Sequence, residues 1–247
     1  MSFSYSPKIV TDGLILCYDP ANTKSFISGS TNIYDLSKNN YDGQLINGPV
    51  YSGVSNGVIS LDATNQRIDI PSLPNSTDGT ISVWFKNNVE ITSATTAAYL
   101  FEFSSGVTIS EFRAVIGNVF FATGRTELLT VQLYSSGTSI AGAYEPDLLP
   151  ITGNTIPVGW HNLTIARDSL GTRVYFDNTL LGVPSSPSTN ITTITTTTNQ
   201  FSRSAWNQNK FGRILGGLLS HVMIYNKGLT TAEVNRNYNA LKSRFGI

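Results

Sequence analysis

The 247-residue chain has little of what most enzyme sites and many interfaces are built from. Cys17 is its only cysteine, so an intrachain disulfide framework is excluded, and two histidines leave few ligands for a His/Cys zinc site. Charged residues make up 13% of the chain, with 16 Lys+Arg against 16 Asp+Glu, a formal net charge of zero. A nucleic-acid binder needs a basic footprint and an anionic membrane surface attracts net positive charge; this sequence offers neither. No apolar run approaches the roughly 20 residues of a membrane-spanning helix. The opening Met1-Ser2-Phe3-Ser4-Tyr5-Ser6-Pro7-Lys8 has no apolar core of a secretion signal, so none is expected. No internal repeat and no charge block is evident.

What is abundant is Gly, Ser, Thr, Asn and aromatic residues, the composition of a β protein with many turns. Strand-length apolar runs recur between turn residues. Leu14–Asp19 ends at Pro20, and Gln44-Leu45-Ile46 sits between Asp42-Gly43 and Asn47-Gly48-Pro49. Thr80–Lys86 has Ile81, Val83 and Phe85 on one face and Trp84 on the other, as in a central strand of a sandwich. Tyr99–Phe103, Phe112–Ile116 and Val119–Ala122 follow, the last two predicted to pair across Gly117-Asn118. Gly57–Leu61 and Arg67–Ile70 flank a tight connection at Asp62–Asn65, and Leu128–Tyr134, Trp160–Arg167, Thr172–Asp177, Leu180–Val183 and Gly217–Tyr225 complete the set, with turns at Asp168–Gly171 and Asp177-Asn178. Gly137 to Val158 reads as a long surface loop, and Pro184 to Thr198 as irregular, with its threonine tract alternatively an edge strand. One helix is predicted, at the C-terminal end. Thr230-x-x-Glu233 is a capping box, Leu229 and Val234 form a hydrophobic staple, and Val234, Tyr238, Leu241 and Phe245 make one apolar stripe. The expected architecture is all-β, a two-sheet antiparallel jelly-roll sandwich with a short C-terminal helix, one domain over residues 1–247.

Several segments together resemble the concanavalin A-like lectin/glucanase superfamily, in its laminin-G-like branch. Ile9–Asn22 is similar to the first strand of such domains in bacteriophage proteins, and Asp35–Gly43 to the loop that follows. Leu61–Ile68 resembles the "F-D-G-T-N-D-Y-I" turn, with Ala63 in place of the usual glycine and Gln66 in place of the usual aspartate. Thr80–Phe85, Trp160–Thr164, Val174–Asn178 and Gly217–Thr230 match further strand motifs in the family's order. The resemblance implies roughly a dozen strands in two sheets. It also implies a virion context: a structural or adhesive protein of a tailed phage, assembled in the host cytoplasm. The partners implied are other virion proteins and a host surface glycan; self-association is left open. A lectin with a rim Ca²⁺ is the rival reading and a glycan hydrolase a remote third, since one fold hosts all three.

A retaining glycosidase needs two carboxylates about 5–5.5 Å apart. Glu102 and Glu111 stand singly on aromatic strands, Glu127 and Glu145 lie in turn-like sequence, and no catalytic residue is assigned. His161 and His221 lie within strands, where a structural role is the better reading. Asp62, Asn65 and Asp69 are the candidate Ca²⁺ ligands, with Asp12, Asp19, Asp35, Asn39 and Asp42 in the opening loops. Turn capping by these Asx residues is the competing account, favoured because Gln66 removes a carboxylate from the best loop. Trp206 with Asn207 and Asn209 offers a sugar platform beside planar amides; Tyr144 and Glu145 are a second candidate. Trp84 and Trp160 are expected in the core. The sequons at Asn75, Asn162 and Asn190 are not expected to be used.

Overall fold

The computed structural model describes residues 7–61, 66–74, 76, 78–92, 95, 98–104, 110–117, 128–135, 138–144, 149, 153–182, 198–201 and 217–247. They form two eight-stranded antiparallel sheets and one α-helix. Sheet A runs β14 (Thr179–Gly182), β13 (Gly171–Phe176), β12 (Gly159–Asp168), β7 (Gly79–Asn87), β16 (Gly217–Tyr225), β5 (Val58–Leu61), β4 (Val50–Ser52), with β1 (Leu14–Tyr18) also paired to β16. Sheet B runs β11 (Thr138–Tyr144), β10 (Leu129–Ser135), β9 (Ser110–Ile116), β8 (Ala98–Ser104), β15 (Thr198–Phe201), β6 (Arg67–Ile70), β3 (Gly43–Ile46), β2 (Asn32–Ile33). The expected two-sheet sandwich is therefore found, with sixteen strands rather than about a dozen.

The period-2 patterning explains both faces of each sheet. Ile81, Val83 and Phe85 of β7, Leu163 and Ile165 of β12, and Leu219, Val222 and Ile224 of β16 point between the sheets. Ile68 and Ile70 of β6, Phe101 and Phe103 of β8, and Ala114 and Ile116 of β9 meet them from sheet B. Turn chemistry holds where it was strongest. Asp177 (φ 46) and Asn178 (φ 67) take the two positive-φ positions between β13 and β14, as a tight hairpin requires. Asp168 pairs with Gly171 (φ 110) across the β12–β13 turn.

Four expectations are corrected. Phe112–Ile116 does not pair with 119–122: both edges of β9 are occupied, by β8 and by β10, and Ile116 faces Leu129. Residues 119–122 lie outside the described residues. Residues 138–144 are not loop but β11, in register with β10 from Leu129↔Tyr144 to Ser135↔Thr138. Gly142 and the alanines had masked the strand formers Thr138, Ile140 and Tyr144 around them. Leu149 and Ile156, also within the expected loop, belong to the core, and Ile156 bridges Ile91. Thr198 opens a strand that is central, not an edge: β15 lies between β8 and β6.

The helix α1 (Thr231–Leu241) covers the outer face of sheet A. Its capping box is formed in both directions between Thr230 and Glu233, and a 3-10 turn, Lys242–Phe245, extends it to Gly246 (φ 77). Phe245 is held between Trp84 and Trp160, with ring centroids 4.4 and 4.5 Å apart, and Tyr238 stacks on Trp84 at 5.3 Å. Trp84 is fully buried as expected; Trp160 is only half-buried, at the rim of this stack. Asn237 accepts from the Val10 amide (2.7 Å) and donates to the Tyr225 hydroxyl (3.0 Å), which in turn donates to the Val10 carbonyl (3.0 Å). Arg244 reaches the Asp19 carboxylate (2.6 Å), the Ser55 and Gly57 carbonyls (2.9 and 2.7 Å) and Ser220 Oγ (3.0 Å).

His221 is buried on this same face, its Nε2 3.9 Å from Cys17 Sγ, and its Nδ1 has no hydrogen-bond partner among the described residues. Burial pushes its pKa from 6.5 down to about 4; Asp19 opposes this shift and Arg244 adds to it. Burial likewise raises the Cys17 thiol to about 12, which makes it a packing residue rather than a nucleophile.

Phe245→Ala is expected to cost about 3–5 kcal/mol in urea denaturation, because it empties the space between two indoles. An unchanged midpoint would mean that the stack carries no stability. His221 gives a pH dependence of definite sign. Above pH 6.5 the ring is neutral in folded and unfolded chains alike. As pH falls from 6.5 toward about 4, only the unfolded chain takes up the proton, so stability is lost. The loss is on the order of 3 kcal/mol, and His221→Gln should flatten that part of the pH–stability curve relative to the unsubstituted protein.

Candidate functional site

The two outer faces of the sandwich differ in kind. That of sheet A lies under α1 and the N-terminal segment: Val10, Cys17, Tyr175, Met223, Tyr225, Leu229 and Val234 form a second apolar cluster there. Below Trp84, Ser82, Asn162 and Thr164 satisfy one another, with Thr164 Oγ1 donating to Asn162 Oδ1 at 3.0 Å and Asn162 Nδ2 reaching Ser82 Oγ at 3.2 Å. The sequon asparagine Asn162 is thus buried and engaged, which closes it to modification in the folded protein.

The outer face of sheet B carries polar residues on β9, β8, β6, β3 and β2, and strand register aligns them. Register places Gln132 (β10) opposite Arg113 (β9), Arg113 opposite Glu102 (β8), and Glu102 opposite Gln200 (β15). Gln200 is opposite Asp69 (β6), Asp69 opposite Gln44 (β3), and Gln44 opposite Asn32 (β2). Neighbouring strands are about 4.8 Å apart, so the line advances by that step from one edge of the sheet toward the other. Interior neighbours fix this facing: Ile33, Leu45, Ile68, Phe101, Phe103, Ala114 and Val131 on the same strands all belong to the core.

Exposure changes along the line. At β8 to β10 the face is closed: Glu102, Tyr99, Val115 and Thr130 are all buried. A register shift in β8 between Tyr99 and Phe101 turns Tyr99 to this side, where its ring lies 5.6 Å beneath the Arg113 guanidinium. At β6, β3 and β2 the face is open. Asp69 is partly exposed, and Gln44 and Asn32 are exposed. Arg67, on the same face as Asp69, grips it with two bonds, Nε to Oδ1 at 2.7 Å and Nη2 to Oδ2 at 3.1 Å. Such an arrangement holds donors and acceptors in fixed positions over a rigid core, which suits a ligand rich in hydroxyl groups.

The residues proposed from sequence are distributed otherwise. Trp206, Asn207, Asn209, Glu145, Asp62 and Asn65 lie outside the described residues. Tyr144 ends the edge strand β11, opposite Leu129, and not a loop. Asp69 lies on the line, with both carboxylate oxygens on Arg67, so a cation there would have to displace a guanidinium. The aspartates of the opening loops cap and pair. Asp35 accepts from the Cys17, Ser37 and Tyr41 amides and from Ser37 Oγ, and Asp42 accepts from the Asp35 amide. Asp12 pairs with Lys227 and Asp19 with Arg244, while Asn39 donates to the Ile15 carbonyl. Among the described residues no group of three or more His, Cys, Asp or Glu side chains is placed to hold a metal ion. His161 is buried between the Asp177 carboxylate (2.8 Å) and the Pro157 carbonyl (3.1 Å), a strut between two loops. Gln44, Arg67 and Arg113 were missed; the signal available was a polar residue at every second position of otherwise apolar strands.

The sequence pattern of the concanavalin A-like lectin/glucanases superfamily matches residues 62–235, more than half of the chain. No curated protein matches it. Among solved structures, it is similar to domain 4 of AbnA, a GH43 extracellular arabinanase from Geobacillus stearothermophilus, in complex with arabinotriose. That likeness covers 92% of this chain and 98% of the other, with a TM-score of 0.64 and 16% identity. It is also similar to the binding domain of botulinum neurotoxin DC in complex with SialylT, over 94% of this chain and 52% of the other, with a TM-score of 0.65 and 14% identity. The binding domain of Paraclostridial Mosquitocidal Protein 1 aligns over 93% of this chain and 52% of the other, with a TM-score of 0.68 and 18% identity. The chain thus spans about half the length of the toxin binding domains, and at these identities the likeness is one of fold. By the pattern it matches and the paired antiparallel sheets that carry it, the chain belongs to the concanavalin A-like lectin/glucanases superfamily.

Proposed function

We propose that the protein is a non-enzymatic adhesive module that holds a glycan on the open end of the sheet B face, and that it serves as a surface component of a tailed-phage virion. The observation that carries the glycan reading is the polar line from Asn32 through Gln44 and Asp69 toward Glu102, one residue per strand on a face no helix covers among the described residues. Amides and a charged pair at strand spacing meet successive hydroxyl groups of an oligosaccharide as donors and acceptors by turns. The arabinotriose in the similar arabinanase domain is a ligand of this kind. The virion placement rests on the opening strand Ile9–Asn22 and the tail Gly217–Thr230, the segments that resemble phage proteins. The reading requires no metal.

The non-enzymatic part rests on the two described carboxylates of the line. Glu102 has no exposed surface, and Asp69 is held at both oxygens by Arg67. An acid and a nucleophile flanking a glycosidic bond must both reach it.

On a glycan array the protein should bind at least one oligosaccharide class. Gln44→Ala, an exposed substitution, should weaken that binding by about tenfold, the size of one lost hydrogen-bonding anchor of about 1.4 kcal/mol. Mass spectrometry of purified particles should find the chain as a stoichiometric component. Binding to no glycan would reject the adhesive reading, and absence from particles the virion placement. Release of reducing sugar by the unsubstituted protein, lost in Glu102→Gln, would overturn the non-enzymatic one.

A further inference from the structure

We infer that the sheet B face selects neutral oligosaccharides and excludes glycans bearing carboxylates, such as sialylated or uronic-acid chains; this rests on the glycan-binding reading above. The described side chains of the face include two cations, and each already has an anion beside it. Arg67 is chelated by Asp69, at 2.7 and 3.1 Å. Arg113 is directly opposite Glu102, at the close cross-strand spacing where opposite charges attract, and its guanidinium lies over the Tyr99 ring. The remaining open positions, Gln44 and Asn32, are uncharged. The two positive and two negative charges of these residues cancel.

Arginine binds a carboxylate best through its planar fork, and at Arg67 that fork is already filled. An acidic sugar meeting the N–H groups that remain on Arg67 would set a second carboxylate beside Asp69 around one guanidinium. A neutral sugar adds no such charge. Asp69 keeps unused lone pairs for sugar O–H groups, and Arg67 has N–H groups beyond the two that bind Asp69. The intact ion pair is therefore a mixed acceptor and donor, suited to vicinal hydroxyls. The chain as a whole carries zero formal charge, so no long-range field draws in an anion either.

The test is titration calorimetry of the purified protein with arabino- and gluco-oligosaccharides, 3′-sialyllactose and oligogalacturonate, at about 20 and about 300 mM NaCl. The neutral ligands should bind with Kd values that agree within about twofold at the two salt concentrations, and the acidic ones about tenfold or more weaker. Asp69→Asn, which frees the Arg67 fork, should bind the sialylated ligand about tenfold more tightly than the unsubstituted protein does, with a gain that shrinks in salt. A thermal melt on the same sample confirms that the variant is folded. Tighter binding of an acidic ligand by the unsubstituted protein, or no gain in Asp69→Asn, would overturn the selectivity while leaving a glycan site in place. Binding of neither class to either protein would remove the site and the selectivity together.

Discussion

The double burial of β7 is the constraint from which most of the structure follows. A strand that reads Ile81-Ser82-Val83-Trp84-Phe85 has no face it can leave in water. One side requires a second sheet, and sheet B supplies it. The other requires a cover, and α1 with its 3-10 extension supplies that. Trp84 sets the terms of the second contact: an indole buried in mid-sheet needs flat partners, and Phe245 and Tyr238 meet it at stacking distance. The helix is short, and helices of this length are marginal alone, so its order comes from this docking and from Thr230–Glu233 capping. The polar residues beneath it are tolerable only because Ser82, Asn162 and Thr164 satisfy one another.

Committing the outer face of sheet A to the helix leaves sheet B as the sheet whose outer face can be given to a ligand. A binding face on a sheet has its side chains spaced by backbone hydrogen bonds rather than by loop conformation. The described face is also asymmetric, closed at Glu102 and Tyr99 and open at Gln44 and Asn32.

How far the sequence foretold this depends on how local each signal was. The capping box at Thr230, the staple of Leu229 and Val234, and the Asp177-Asn178 turn are decided within a few residues, and each is formed as read. β11 was missed because glycine and alanine dilute its strand signal, and β15 because four residues are too few to show alternation. At Phe112–Ile116 a strong two-residue turn signal at Gly117-Asn118 was outweighed by β8 before it and β10 after it. The candidate site was hardest of all to see. Asp69 was noticed as a metal ligand and Glu102 as a solitary carboxylate, but nothing in their own neighbourhoods says that one intervening strand separates them. Register between distant segments is a property of the assembled core, and a single sequence does not display it.

The position of β15 has a consequence for the order of events during synthesis. The register of sheet B is continuous only because Thr198–Phe201 fills the gap between β8 and β6, strands made much earlier. Until that segment leaves the ribosome, the edges of β8 and β6 that it joins lack their partner strand. Pairings this distant in sequence form late and slowly, because a long loop must close before they are rewarded. The nascent chain therefore passes through an interval in which both the aligned register of sheet B and its protection against edge-to-edge aggregation are unfinished, and one four-residue strand completes the two together.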